Sequence, residues 1–289
     1  MLNGMTSYRL DCSLDSNIPD SDNGGTICLW NGTNIHFKDE WKASITVEGN
    51  SGEEAKKLAY SSINMDIFWL QLVIPVTSSS KVYMRVANKG DTLTDLDQQK
   101  PQITSNTLTV TVTPKIGLSE GFTLQKFDKG KEHKIFAPTS LRSKIDEIRI
   151  PMYYYNRALE ENEALYAFIN LMICLESMLS DNQELTEKLA RRVAVLVSSD
   201  YKNKQETYEK MKGFYKIRSE IFHGGEVPSI TWDTLKGLLD CTKLSMRNYV
   251  LLLEKYQNKK RIKEALDKFF DSDILVEIEN VTSNALGTT

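Results

Sequence analysis

The sequence predicts an α+β protein of two domains, an N-terminal α+β domain with antiparallel strands over residues 1–148 and an all-α helical bundle over 149–289. Three observations carry this expectation. Thr107-Leu108-Thr109-Val110-Thr111-Val112-Thr113 alternates apolar and hydroxyl side chains with a period of two, as a half-buried strand does. Ser51-Gly52-Glu53-Glu54 reads as a capping box, and Ala55, Leu58, Ala59, Ile63, Ile67 and Leu70 follow at helical spacing until Pro75 stops the run. Beyond Pro151 the texture changes to long helical patterns with few glycines or prolines before Gly224.

In the first half, Ala43 to Val47 and the β-rich segment Lys81 to Val86 flank the capped helix and make a strand-helix-strand unit. Polar clusters at 13–25 and 77–80 read as loops, and Trp30, Trp41 and Trp69 are expected in the core. In the second half, Leu165, Phe168, Ile169, Met172, Ile173, Leu175 and Leu179 form one wide apolar helix face. Further helices are expected over 184–197, 205–222, 231–256 and 258–278. The one ending at Phe222 would close on Gly224-Gly225 with a left-handed glycine cap.

With 36 Lys and Arg against 39 Asp and Glu, the formal charge is −3, so no global field draws the chain to nucleic acid and RNA binding has to be local. Cys12, Cys28, Cys174 and Cys241 show no CxxC spacing and have too few histidines beside them for a zinc cluster. Buried reduced thiols, a cytoplasmic setting and no metal or cofactor are the expectation. The apolar block from Met65 to Val76 contains Asp66 and Gln71 and is too short to span a bilayer, so no membrane role is expected.

The stretch with most chemistry is Lys216-Ile217-Arg218-Ser219-Glu220-Ile221-Phe222-His223-Gly224-Gly225, where an arginine and a histidine stand five apart at a helix end. Arginine brings permanent charge and a planar fork for phosphate, and histidine exchanges protons near neutral pH. A helix C-terminus favours positive charge, which suits a proton donor. Five residues on a straight helix turn about 140° past a full turn, so the two side chains do not share a face. RNA cleavage without metal needs a proton acceptor, a proton donor and positive charge at phosphorus. The helical half holds a single histidine, since His36 and His133 lie in the other half. Two copies around a twofold axis would supply the missing parts.

Tyr215 to Gly224 is similar to a signature of the HEPN superfamily, and within it of the Apea-like HEPN domains. The resemblance extends upstream through Leu175-Glu176 and through Lys188-Leu189-Ala190-Arg191-Arg192-Val193-Ala194, in the same order on consecutive helices, and covers about residues 150–256. It implies an all-α HEPN bundle that dimerises and a metal-independent endoribonuclease site built from both copies, leaving 2′,3′-cyclic phosphate and 5′-hydroxyl ends. Arg218 would hold the scissile phosphate and His223 would act as general acid/base. Many HEPN nucleases have Asn, Asp or His directly after the arginine, whereas this chain has Ser219, as is common in the Apea-like group. The resemblance also implies a sensing, substrate-selecting or restraining N-terminal domain, a setting in bacterial anti-phage defence or toxin-like growth arrest, and room for a regulatory or antitoxin partner.

Glu176 interrupts an apolar face and needs a partner, with Arg191 or Arg192 on the next helix as the first candidates for a structural ion pair, and orientation of Arg218 or His223 as the alternative. Tyr215 and Phe222 are either core aromatics or stacking surfaces for bases. Lys216 and the run Lys259, Lys260, Arg261 and Lys263 are read either as solvated helix faces or as contacts to an RNA backbone. Two other functions stay open. One is a non-catalytic HEPN protein that binds nucleic acid or a nucleotide, and the other is a dimerisation module.

Overall fold

The computed structural model describes residues 6–16, 25–29, 34–37, 41–73, 84–86, 91–96, 100–103, 132–135, 143–181, 185–198, 200–224 and 228–270. The chain divides into two compact units, Met1–Ala137 and Pro138–Thr289, the first mixed α and β and the second helical.

The first unit contains β1 (Thr6–Ser16), β2 (Gly25–Leu29), β3 (Asn34–Phe37), β4 (Trp41–Gly49), α1 (Gly52–Val73), β5 (Met84–Val86), β6 (Thr92–Asp95), β7 (Lys100–Ile103) and β8 (Glu132–Ile135). The strands form one sheet in the order β7-β6-β1-β4-β3-β2-β8, with β5 also paired to β1. Its pairs are antiparallel except β2 with β8, which run parallel. The centre is β1, whose Tyr8, Leu10, Cys12 and Leu14 are buried while Arg9 between them is exposed, the alternation of a sheet with one covered face. Its last residues, Leu14 to Ser16, lie in the stretch 13–25 expected as a loop from its Gly, Ser, Asn and Asp content. They pair instead with Val86 to Met84 of β5, and ladder hydrogen bonds override the local turn preference.

The cover is α1, which joins β4 to β5 and buries Ala55, Ala59, Ile63, Ile67, Phe68, Trp69 and Leu70. Its start is the expected cap with one shift. Ser51 Oγ accepts from the Glu54 amide at 3.2 Å, and the Glu54 carboxylate reaches past Ser51 to accept from the Asn50 amide at 2.9 Å. Trp69 is in the core as expected. The strand expected over 107–113, Trp30 and the loop at 77–80 lie outside the described residues.

The second unit contains α2 (Ile145–Glu160), α3 (Ala164–Leu179), α4 (Leu185–Val197), α5 (Tyr201–His223), α6 (Trp232–Tyr256) and α7 (Lys259–Phe269). Helix α2 crosses the expected boundary at 148/149 and holds Pro151 inside it, buried. A proline costs the helix one hydrogen bond, here to the Glu147 carbonyl, and burial of Ile148, Pro151, Tyr155 and Leu159 offsets it. Helices α4, α5 and α6 match their expected spans within a few residues, because caps and apolar periodicity coincide there. Asp200 accepts from the Asn203 amide at 2.9 Å, and Thr231 Oγ1 accepts from the Thr234 amide at 3.2 Å. The expected last helix is α7, described to Phe269; residues past 270 lie outside the described set.

A charged clasp closes the C-terminal end of α3, where four carbonyls lack helical donors. Arg192 of α4, 2% exposed, donates to the Leu179 carbonyl at 2.5 Å, to Asp181 at 2.7 Å, and to both oxygens of Asp267 on α7 at 2.7 Å. From α7, Lys259 donates to the Ser177 carbonyl, and Lys263 to the Ser180 carbonyl at 3.2 Å and to Asp181. Burial alone would raise the Asp181 carboxyl, but the hydrogen bonds from Lys263 and Arg192 outweigh it and hold it at about 2. A depressed native value gives stability that is complete above the unfolded value of 3.8 and is lost as pH falls toward about 2. Melting the chain across that window, followed at the helical signal, is expected to show a steeper loss for the wild type than for Asp181→Asn.

Among the described residues no helix is long and apolar enough to cross a membrane, and no cluster of His, Cys, Asp or Glu has the spacing to hold a metal ion. Cys12, Cys174 and Cys241 are buried free thiols, and burial raises each of them, Cys12 to about 12 and Cys241 to about 11.

Candidate functional site

The site residues sit at the C-terminal end of α5. This helix buries Lys204, Met211 and Phe214 at spacings of seven and three, and Arg218 continues that face one turn further on. Close approach to α6 is secured by Gly237, where an added Cβ would stand 2.9 Å from Lys210 Cε and 3.3 Å from Phe214. The face that carries Arg218 is therefore pressed into the helical unit.

Arg218 meets Glu176 of α3. Its Nε is 3.2 Å from Oε1 and its Nη2 donates to Oε2 at 3.4 Å, with the two side chains 26% and 19% exposed. Neither Arg191 nor Arg192, the first candidates from sequence, is the partner. Arg191 turns outward to Glu187 at 2.9 Å and lies over the Phe270 ring, while Arg192 is consumed by the clasp. The alternative of Glu176 facing Arg218 is the one the fold realises, because both residues break into facing helix surfaces at the same level.

Burial is the largest influence on Glu176 and raises its carboxyl above the ordinary range, against the lowering by the charge and hydrogen bond of Arg218. Its Oε1 is buried and accepts no hydrogen bond with good geometry. The guanidinium also lies 4.8 Å from the Phe222 ring centre and 5.6 Å from that of Tyr215, the residues four after and three before it on the helix. Phe222 is 52% exposed, so it is not a core aromatic.

His223 is the last residue of α5 and is exposed, with no hydrogen bond or ion pair to another described residue. Helix α5 is regular to its end, so the half-turn offset from Arg218 persists, and within one chain the two side chains point to different surroundings. The helix stops at Gly224, though not by the left-handed conformation expected. Gly224 has φ −80° and ψ 149°, and its amide donates to the Glu220 carbonyl at 2.7 Å. Glycine is required there by space, because a Cβ would overlap the Glu220 carbonyl oxygen. Gly224→Ala is expected to unseat the last turn and move His223. A shifted His223 ring resonance with unchanged Arg218 contacts would report it. The left-handed cap occurs instead at Gln257, which ends α6 with φ 67°.

The remaining expected residues divide. Ser219 is half-buried and makes no side-chain hydrogen bond to a described residue. Lys216 is 80% exposed and pairs loosely with Glu220 at 3.9 Å. Lys259 belongs to the clasp and is not presented to a ligand, its ammonium being spent on the Ser177 carbonyl. Lys260 and Arg261 point outward, Lys260 within 4.0 Å of Glu264. Asp181 and Asp267, which with Lys263 of the basic run tie α7 to α3 and α4, carried no sequence signal, since the bonded partners stand up to 83 residues apart and meet only by virtue of the fold. The exposed apolar side chains Ile150, Tyr153 and Tyr166 on α2 and α3 were also not foreseen.

The chain matches no family model, no curated protein and no solved structure, so a functional reading rests on Arg218, Glu176, Phe222 and His223 themselves.

Proposed function

We propose that the chain is a metal-independent endoribonuclease of HEPN type, with its site assembled from Arg218 and His223 of two copies. The observation that carries this reading is the end of α5, where a part-exposed arginine and an exposed histidine that is bonded to no other described residue stand five residues apart. The 2′-hydroxyl of the substrate attacks phosphorus as its proton leaves to a base. The bond from phosphorus to the 5′-oxygen breaks, and a histidine proton goes to that oxygen. Arginine holds the charge that grows on the non-bridging oxygens. One chain brings one histidine from its helical unit, and a copy brings the second. Exposed Ile150, Tyr153 and Tyr166 give the helical unit apolar surface suited to a homodimer.

The resemblance of Tyr215 to Gly224 to Apea-like HEPN domains supports the same reading and suggests a cytoplasmic role in anti-phage defence or growth arrest. The first unit would then sense the trigger or receive a regulatory partner. A second reading, a HEPN protein that binds nucleic acid or a nucleotide without cutting, is favoured by one observation: Glu176 already neutralises Arg218. RNA incubated with the full chain in EDTA separates the two. Fragments with 2′,3′-cyclic phosphate and 5′-hydroxyl ends are expected, and intact RNA retained on the protein overturns the nuclease reading.

A further inference from the structure

Two of the arginine–carboxylate contacts of the helical unit, at Arg192 and at Arg218, differ in kind. Arg192 is 2% exposed and reaches Asp267 and Asp181 at 2.7 Å, a permanent tie. Arg218 is 26% exposed, its contacts with Glu176 are 3.2 and 3.4 Å, and the approach leaves Oε1 without a well-aimed donor. The guanidinium is nonetheless fixed in place by Phe222 and Tyr215 on either side along the helix. A held cation with a loosely held anion is an arrangement in which the anion can be exchanged. Phosphate oxygens offer the fork two well-aimed hydrogen bonds, whereas Glu176 accepts only one from it here.

We propose that Glu176 is a built-in counter-anion that occupies Arg218 until a phosphodiester displaces it, so that substrate binding includes breaking this ion pair. This rests on the reading that Arg218 takes phosphate and adds a regulatory device to it. The device sets a threshold: a weak or stray anion does not repay the loss of the pair, whereas a polyanionic strand does. It is also open to protons, because neutral Glu176 no longer competes. From α5 the charged group facing Glu176 is Arg218. From α7 Lys259 is spent on the Ser177 carbonyl, and from α4 Arg192 is spent in the clasp. Helices α2 and α6, also packed on α3, bring no described charged group that acts on the carboxyl.

The test is binding of a 2′-deoxy oligonucleotide, which cannot be cleaved for want of the attacking hydroxyl, to the full chain and its variants. Glu176→Gln is expected to bind it roughly fivefold more tightly than the wild type, the factor set by a part-exposed ion pair that no longer has to be broken. Glu176→Ala is expected to shift binding in the same direction, so the result does not hang on one substitution. The advantage of Glu176→Gln should shrink as pH is lowered toward the carboxylate range, since burial makes the native carboxyl take up a proton at a higher pH than an ordinary glutamate while glutamine does not titrate. Weaker or equal binding by both variants, with Arg218→Ala still weakening binding, overturns the counter-anion role and makes Glu176 a positioning residue. Unchanged binding in Arg218→Ala overturns the phosphate role of Arg218, and the proposal with it.

Discussion

His223→Ala and Arg218→Ala are each expected to reduce RNA cleavage by the full chain in EDTA by at least about 100-fold. The size follows from the roles assigned. Proton transfer by a placed side chain is worth roughly 10²–10⁴ in rate, and removal of one group stabilising charge in the transition state costs about 10²–10³. His223→Ala is the cleaner of the two, because the ring is exposed and bonded to no other described residue, so its loss leaves the helical unit intact. Arg218→Ala also strands Glu176, a half-buried carboxylate, so it has to be read beside Arg218→Lys, which keeps the charge and loses the fork. Measured as initial rates on one RNA with the ends mapped, equal rates for wild type and His223→Ala would sink the nuclease reading.

Arg192→Ala is expected to destabilise the helical unit by about 3 kcal/mol, since it removes one partner from a buried ion-pair network and uncaps the Leu179 carbonyl. The value is placed at the low end for a buried pair because Asp181 and Asp267 are 31% and 40% exposed and regain water. The neighbouring Arg191→Ala supplies the contrast. Its pair with Glu187 has side chains 43% and 45% exposed, so a loss of at most about 1 kcal/mol is expected. Urea unfolding followed at the helical signal measures both. Equal losses for the two variants would mean that the clasp on the end of α3 does not hold the unit together.

The two adjacent arginines show where reading from sequence stops. Arg191-Arg192 offers two identical candidates for any carboxylate on a nearby helix, and local spacing ranks neither. Rotation by 100° along α4 sends one into the core and one into water. The partner of Glu176 was likewise undetermined, because a polar residue on an apolar face says that a partner exists and not which helix brings it. Lys259-Lys260-Arg261 reads as one basic run, yet its first member folds back to cap α3 while the next two face outward. Gly224 was legible as a helix stop, though its cause is steric overlap with Glu220 and not backbone handedness.

By itself the sequence determined what local interactions decide. These are the capped α1, the helices from α3 to α6, with ends within a few residues for α4 to α6, the change from a mixed first half to a helical second half, and the placement of Arg218 and His223 five apart on one helix end. Caps and periodicity act over a few residues, so a few residues suffice to read them. Only the tertiary structure decided the strand order, including the parallel β2–β8 pair, the helix α2 running through Pro151, the clasp at Arg192, and Glu176 as the anion on Arg218. Each of these depends on which surfaces meet across tens of residues. Burial and charge pairing between distant segments select among contacts that local preference leaves equal.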